Sequence, residues 1–171
     1  MKRNSNVVTF GGNPVTLLGK MAKTGNNAKN FIATDGDLKP VQLSDFQGKV
    51  RIISSVPSVD TSVCAEQTRR FNLEASKLEG AQIITISCDL PFALKRFCAA
   101  EGIDNILTVS DHKDTEFGVK YGFLIEEFRL LARGIVIVDQ NDIIKYVEVV
   151  PEIAEHPDYD KAIAAAKKLL S

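Results

Sequence analysis

Apolar and polar positions change their period within residues 51–78. Residues 52–56 form a short run of mostly apolar side chains rich in β-branching that ends at Pro57, which predicts a buried strand. The next buried-type positions recur at spacings of four, three, four and three, which predicts one face of a helix. Gly80 is the predicted stop of this helix. The recurring positions are Cys64, Thr68, Phe71, Ala75 and Leu78. The pattern predicts a strand that turns sharply into a helix, with a cysteine in the first turn.

The remaining pattern predicts an N-terminal hairpin at 7–10 and 15–18, followed by alternating strands and helices. Further strands are predicted at 31–34, 41–43, 82–88, 106–109, 134–138 and 143–150, and helices at 90–101, at 114–121 and from 158 onward. Asp89 and Pro91 are the predicted start signals of the helix at 90–101. Units of strand and helix followed by a terminal strand pair are typical of a three-layer α/β domain in the thioredoxin-like class. We expect one domain over residues 1–171.

Composition fits such a domain and excludes several classes of partner. A chain of 171 residues with 44% hydrophobic side chains can bury enough surface to fold without disulfides. Its 21 basic and 22 acidic residues leave a net charge of −1, so we expect neither nucleic acid nor a membrane surface as partner. No apolar stretch has the length of a secretory signal or a membrane span, and a cytoplasmic location is expected. Three cysteines in such a chain indicate a redox thiol more than a disulfide framework.

Cys64 is the first candidate for that thiol. The N–H groups of a helix's first turn have no partner inside the helix, and together with the helix dipole they stabilise a thiolate. Asp60, Thr61 and Ser62 each favour a helix N-terminus at this point. The alternative is an inert core cysteine, because Cys64 also lies on the apolar face of its helix.

Other titratable side chains carry weaker signals. Arg69 and Arg70 follow Cys64 by five and six residues, and we expect them on a solvated helix face. His112 and His156 lie in polar, loop-like surroundings, where no catalytic role is expected. The cysteines are 24 and 10 residues apart and form no Cys-x-x-Cys pair, so no zinc site is expected.

The same stretch carries a family resemblance. Pro57, Thr61 and Cys64 fit the Pro-x-x-x-Thr-x-x-Cys signature of the peroxiredoxins, and PSVDTSVCAEQTRRFN resembles their thiol peroxidase branch, the atypical two-cysteine bacterial group. The segment CDLPFALKRFCAAEG resembles the second cysteine segment of that branch, and LLARGIVIVDQND resembles its arginine strand. The resemblance covers nearly the whole chain and implies a peroxiredoxin-type thioredoxin-like fold.

The resemblance implies roles for four residues. Cys64 would be the peroxidatic nucleophile, and Pro57 would shield its thiolate from water. The hydroxyl of Thr61 would bind the thiolate or the incoming peroxide, although a plain N-cap is an equally ordinary use of that residue. Arg133, which precedes the strand at 134–138, would place its guanidinium against the nucleophile and hold the peroxide oxygens.

Cys98 and Cys88 compete for the resolving role, in which a second thiol attacks the oxidised Cys64. Cys98 lies 34 residues after Cys64, and its segment RFCAAEG resembles the resolving segment of the branch, so Cys98 is favoured. Cys88 closes a buried-looking strand and is expected to be a packed structural thiol. Because Cys64 and Cys98 are expected to head different helices, a disulfide between them requires the first turn at Cys64 to unwind.

The predicted activity is thiol-dependent reduction of hydrogen peroxide and of organic hydroperoxides to water or alcohols. It proceeds through a Cys64 sulfenic acid and an intramolecular Cys64–Cys98 disulfide. The resemblance implies thioredoxin as reductant, a homodimer, a role in antioxidant defence, and neither metal nor organic cofactor. The alternatives are a thioredoxin-like redox sensor and a binding scaffold with inert thiols.

Overall fold

The computed structural model describes residues Met1–Ser171 and contains eleven strands and four α-helices. The strands are β1 (Arg3–Phe10), β2 (Asn13–Leu18), β3 (Ile32–Thr34), β4 (Pro40–Gln42), β5 (Val50–Ser55), β6 (Ala81–Ser87), β7 (Leu107–Ser110), β8 (Leu124–Ile125), β9 (Leu130–Leu131), β10 (Gly134–Val138) and β11 (Ile144–Val149). The helices are α1 (Ser62–Ala75), α2 (Pro91–Glu101), α3 (Glu116–Tyr121) and α4 (Tyr159–Leu170), with a 3₁₀ turn at Leu43–Phe46. None of these helices has the length and apolar character needed to cross a membrane.

The strands form two sheets. The larger has the order β11-β10-β5-β6-β7-β3-β4, and the smaller has the order β1-β2-β8-β9. Strands β5, β6 and β7 run parallel because α1 and α2 supply the crossover connections between them, whereas β10 runs antiparallel to β5. The larger sheet therefore has a parallel centre with antiparallel strands on both sides.

Alternating side chains of the larger sheet supply two separate cores. One face packs against α1 and α4, and its members include Ile52, Ile83, Ile135 and Ile137. The other face packs against α3 and the smaller sheet, and its members include Ile53, Ile84, Val136 and Val138. Neighbouring residues of one strand thus enter opposite cores, as the two-residue period of a strand requires. The result is the predicted three-layer α/β arrangement with an N-terminal hairpin.

The structure differs from the predicted elements in several places. Helix α1 ends at Ala75, so Leu78 belongs to the following turn, where it is still buried. Strands β8 and β9 are two residues each, too short to show a period in the sequence. Asp89 does not cap α2: Leu90 is the N-cap residue and makes no side-chain cap bond.

The topology brings three chain segments to one edge of the sheet. The parallel strands β5 and β6 end at this edge, and the antiparallel β10 begins there, with Gly134 opposite Ser55. The segment after β5 leads to Cys64, the segment after β6 begins with Cys88 and Asp89, and the segment before β10 ends with Arg133. The carboxyl ends of parallel strands are the usual place for a site in an open α/β sheet.

Candidate active site

Cys64 is the third residue of α1 and is fully buried, with 0% of its surface exposed. Thr61 is the N-cap residue, and its Oγ1 accepts a hydrogen bond from the Cys64 backbone N–H at 3.3 Å. The carbonyl of Thr61 accepts from the N–H of Ala65 at 2.9 Å. Of the three possible caps in the sequence, Thr61 is the one used, and it lies directly against the turn that carries the cysteine.

Apolar side chains enclose Cys64. It forms a small cluster with Val56, Val59 and Leu94, and Phe97 packs against the group. Pro57, which leads from β5 into this turn, is also buried. Water is thereby kept away from the thiol, a setting in which any charged or polar group nearby acts more strongly than it would in solvent.

Arg133 is 2% exposed and is held by neutral acceptors. Its Nε donates to the carbonyl of Ile153 at 2.7 Å, and its Nη1 donates to Oε1 of Gln67 at 3.0 Å. No carboxylate lies within ion-pair distance of the guanidinium. Gln67 follows Cys64 by three residues on α1, so Arg133 is fixed one helical turn from the cysteine with its charge unneutralised.

Gln67 is a site residue that the sequence pattern did not single out. It is buried, and its Nε2 donates to Oγ of Ser54 at 2.8 Å and to the carbonyl of Ser55 at 3.4 Å. The amide therefore links Arg133 to the end of β5. Its spacing could have indicated this role. A polar side chain three residues after Cys64 lies on the buried face of the helix, where it requires a hydrogen-bond partner.

Gly134, the residue after Arg133, begins β10 in close contact with its neighbours. A Cβ at this position would lie 2.1 Å from the carbonyl oxygen of Glu148 and 2.7 Å from the ring of Phe123. Only glycine lets β10 approach β11 this closely at its first residue. The side chain of Arg133, one residue earlier, is then buried at the end of β5.

Cys98 lies near the end of α2, as the eighth of its eleven residues, so the expectation that it heads a helix was wrong. Its Sγ is 3.2 Å from Oγ1 of Thr108 on β7, and it lines a surface cavity of about 310 Å³ whose lining does not include Cys64. Leu94, which contacts Cys64, is one helical turn before Cys98. Both thiols are free.

Cys88 directly follows β6 and is partly buried against the core beneath α3. Burial, with a smaller contribution from the charge of Asp111, raises the pKa of the Cys88 thiol to about 12. A thiol with such a pKa is almost entirely protonated at neutral pH and is a poor nucleophile. This chemistry fits the structural thiol that the sequence analysis expects at this position.

The start of α4 lies against α1 beside the site. His156 Nε2 is 3.2 Å from a carboxylate oxygen of Glu66, and its Nδ1 is 2.8 Å from the hydroxyl of Tyr159. Burial raises the pKa of Tyr159 to about 12, although the positive charges of Arg133 and Arg70 oppose this. His156 is thus nearer to the cysteine's helix than its loop-like sequence setting indicated, whereas His112 is exposed.

Arg69 and Arg70 are partly exposed and paired with acidic side chains. Arg69 is 3.0 Å from Glu101, and Arg70 is 3.0 Å from Asp160. Both arginines therefore form ion pairs on the surface of α1, which agrees with the solvated helix face predicted for them. No group of three or more histidine, cysteine, aspartate or glutamate side chains is arranged to hold a metal ion.

The family model described as Redoxin matches residues 23–163. The chain belongs to the redoxin family. Its curated relatives include the thiol peroxidase of Oceanobacillus iheyensis, which is 55% identical over 161 residues, covering 94% of this chain and 98% of that protein. The thiol peroxidase of Halalkalibacterium halodurans is 55% identical over 163 residues, covering 95% of this chain and 98% of that protein. These relatives confirm the resemblance to the thiol peroxidase branch.

A solved structure supports the fold assignment. The crystal structure of a peroxiredoxin-like protein from Aquifex aeolicus matches this redoxin with a TM-score of 0.91 and 37% sequence identity. The match covers 99% of both chains, so the two share the complete architecture. The predicted α/β, thioredoxin-like fold of peroxiredoxin type is confirmed.

Proposed function

We propose that this redoxin is a thiol-dependent peroxidase that reduces hydrogen peroxide and organic hydroperoxides, with Cys64 as the nucleophile. The observation that carries the proposal is the pairing of a buried cysteine in a capped first turn with a buried guanidinium that no carboxylate neutralises. Arg133 is fixed by Gln67 one turn from Cys64, and Thr61 closes that turn. Membership among the thiol peroxidases supports the same chemistry.

In the first step, the Cys64 thiolate attacks the terminal oxygen of the hydroperoxide. A sulfur–oxygen bond forms as the oxygen–oxygen bond breaks, which leaves Cys64 as sulfenic acid and releases water or an alcohol after proton uptake. The guanidinium of Arg133 and the first-turn N–H groups stabilise the charge that moves onto the departing oxygen, and the Thr61 hydroxyl holds the turn that carries those groups. Pro57 and the apolar cluster exclude water from the thiolate.

In the second step, the Cys98 thiol condenses with the sulfenic acid, which gives the Cys64–Cys98 disulfide and one water molecule. Disulfide geometry requires Cβ atoms about 3.5–4.5 Å apart. Cys64 is enclosed beside Leu94, whereas Cys98 faces Thr108 one turn further along α2. The first turn of α1 therefore unwinds to deliver Cys64, which is a local change that breaks few hydrogen bonds, among them the 3.3 Å cap bond to Thr61.

The third step returns both thiols by exchange with an external dithiol, for which thioredoxin is the proposed reductant. We expect the predicted single domain of residues 1–171 to work as a homodimer in the cytoplasm, in antioxidant defence. Sedimentation of the reduced protein measures the oligomeric state directly. No step of the proposed cycle uses a metal or organic cofactor.

The experiment is stopped-flow oxidation of the reduced protein by hydrogen peroxide and by cumene hydroperoxide. Cys64→Ser is expected to abolish the fast phase. Cys98→Ser is expected to keep that phase but to stop at sulfenic acid, and Cys88→Ser to behave as the parent. A parent that reacts no faster than a free thiol at the same pH would overturn the proposal and favour a sensor or scaffold.

A further inference from the structure

Asp89 makes a set of contacts that the proposed chemistry does not use. Its Oδ1 accepts from Oγ of Ser58 at 2.7 Å, and its Oδ2 accepts from the backbone N–H of Val59 at 2.9 Å. Oδ2 also accepts from Oγ of Ser87 at 2.7 Å. A carboxylate between β6 and α2 thus holds the loop that joins β5 to the cysteine helix.

The contacts continue from Ser58 to Thr61. The carbonyl of Ser58 accepts from the backbone N–H of Thr61 at 3.2 Å and from its Oγ1 at 3.3 Å. A hydroxyl has one proton, so a Thr61 side chain that donates to Ser58 directs its lone pairs elsewhere. Here they receive the N–H of Cys64 at 3.3 Å. The orientation of the Thr61 hydroxyl therefore depends on where Ser58 is held.

Asp89 suits this task because a carboxylate accepts without donating. All three of its partners are donors, and hydrogen bonds to a charged acceptor are stronger than those between neutral groups. Val59 is 2% exposed, so no water replaces the carboxylate at its N–H. Asp89 makes no ion pair that would draw the carboxylate away from the loop.

We propose that Asp89 is a positioning residue of the peroxidase site, which acts through Ser58 to aim the Thr61 hydroxyl at the Cys64 turn. The inference rests on the proposed function, because it concerns the rate of the first oxidation step. Asp89 itself has no hydrogen bond to Cys64 or Thr61. Its removal lets the loop of residues 57–61 shift, and small displacements of a positioned group lower a rate considerably.

The test measures the second-order rate constant for oxidation of the reduced protein by hydrogen peroxide. Asp89→Ala is expected to lower it on the order of tenfold or more. Ser58→Ala is also expected to lower the rate constant. Ser58→Thr keeps a hydroxyl at this position and is expected to retain most of the parent's rate. Ser87→Ala is the matched control: it removes one bond to the same carboxylate and the acceptor of the Asp89 backbone N–H, neither of which involves the loop, and it is expected to remain within about twofold of the parent.

A double-mutant cycle with Thr61→Val separates positioning from general damage. If Asp89 acts through Thr61, adding Asp89→Ala to Thr61→Val lowers the rate little further. Losses that multiply would overturn the inference, and so would an Asp89→Ala rate within twofold of the parent. Should Asp89→Ala fail to fold by circular dichroism, the cycle of Ser58→Ala with Thr61→Val decides by the same criterion.

Failure of the proposed function has a different signature. A parent protein with no fast reaction overturns the peroxidase itself, and the role of Asp89 falls with it. A fast parent whose rate is insensitive to Asp89 and Ser58 overturns only the positioning role.

Discussion

Two buried arginines lie at opposite ends of the same pair of strands, and their surroundings differ in one respect. Arg51, at the start of β5, is 0% exposed, and its Nη2 lies 2.6 Å from a carboxylate oxygen of Asp142 and 2.7 Å from the carbonyl of Asp139. Arg133, before β10, is 2% exposed and touches only the neutral acceptors Gln67 and Ile153. One guanidinium is neutralised, and the other is held in place with its charge intact.

The difference fits a structural role for Arg51 and the catalytic role proposed for Arg133. A buried charge is costly unless it is paired, and a carboxylate near it would cancel most of the field that it exerts on its surroundings. Neutral acceptors satisfy the donors of Arg133 without cancelling its charge. In the proposed mechanism this charge acts on the thiolate and the peroxide at Cys64, whereas Arg51 joins β5 to the turn at 139–142.

The largest effect is expected from Arg133→Gln, which removes the free charge. We expect the rate constant for oxidation by peroxide to fall on the order of a hundredfold to a thousandfold, as for loss of a group that stabilises developing charge. Arg133→Lys keeps the charge but loses the rigid fork, so its rate should lie between those of Arg133→Gln and the parent. Stopped-flow kinetics measure both. Equal rates for Arg133→Gln and the parent would contradict the assignment.

Asp142→Asn tests the neutralised arginine. The change leaves the guanidinium of Arg51 buried without its carboxylate, so we expect the free energy of unfolding to fall by about 1–3 kcal/mol. Asparagine tolerates the positive φ of 63° at this position, so the backbone is not disturbed. Urea unfolding measures the stability, and the peroxide rate of the folded variant should match the parent. A reduced rate would show that the two arginines are not functionally separate.

Gln67→Met tests whether a neutral acceptor is needed to hold Arg133. Methionine preserves the length of the side chain but accepts only weakly, so the guanidinium loses its fixed direction, and we expect the peroxide rate to fall by about tenfold. Arg69→Met on the exposed side of the same helix is the control and should react as the parent does. If Gln67→Met were as fast as that control, the guanidinium would not depend on the amide.

The smallest effect is expected from Arg51→Met. Asp142 has 39% of its side chain exposed and can be hydrated once its partner is removed. The change also eliminates Nε of Arg51, a buried donor without a hydrogen-bond acceptor. We therefore expect the free energy of unfolding to stay within about 1 kcal/mol of the parent. If Arg51→Met lowered the free energy of unfolding more than Asp142→Asn does, the prediction that losing the carboxylate is the costlier change would be wrong.

Local periodicity was enough to predict most of the fold and the setting of Cys64. The strand before Pro57, the helix after Thr61 and the stop of α2 at Gly102 all depend on side chains close in sequence. Family resemblance pointed to Arg133, but the sequence did not indicate that its partners would be neutral. That property depends on Gln67 and on the carbonyl of Ile153, which long-range packing brings to the end of β5.

Asp89 shows why a signal read from neighbouring residues can be wrong at the edge of the larger sheet where β5 and β6 end. An aspartate two residues before a helical proline is an ordinary N-terminal signal, yet here the carboxylate turns to the neighbouring loop. The carboxylate instead accepts from Ser58 and Val59 in the loop after β5, whereas Pro91 at the start of α2 has no N–H to donate. A sequence-based prediction could not weigh these alternatives, because the order of the parallel strands decides which loop is adjacent.

The position of Cys98 has a consequence for chemical intervention. Its thiol lines an open cavity beside Thr108, while Cys64 is enclosed and burial raises the pKa of the Cys88 thiol. A covalent ligand shaped for that cavity would therefore meet Cys98 before either of the other thiols. With Cys98 as the proposed resolving thiol, the modified protein would still consume one equivalent of peroxide but could not complete the proposed cycle, and a catalyst would become a single-use scavenger.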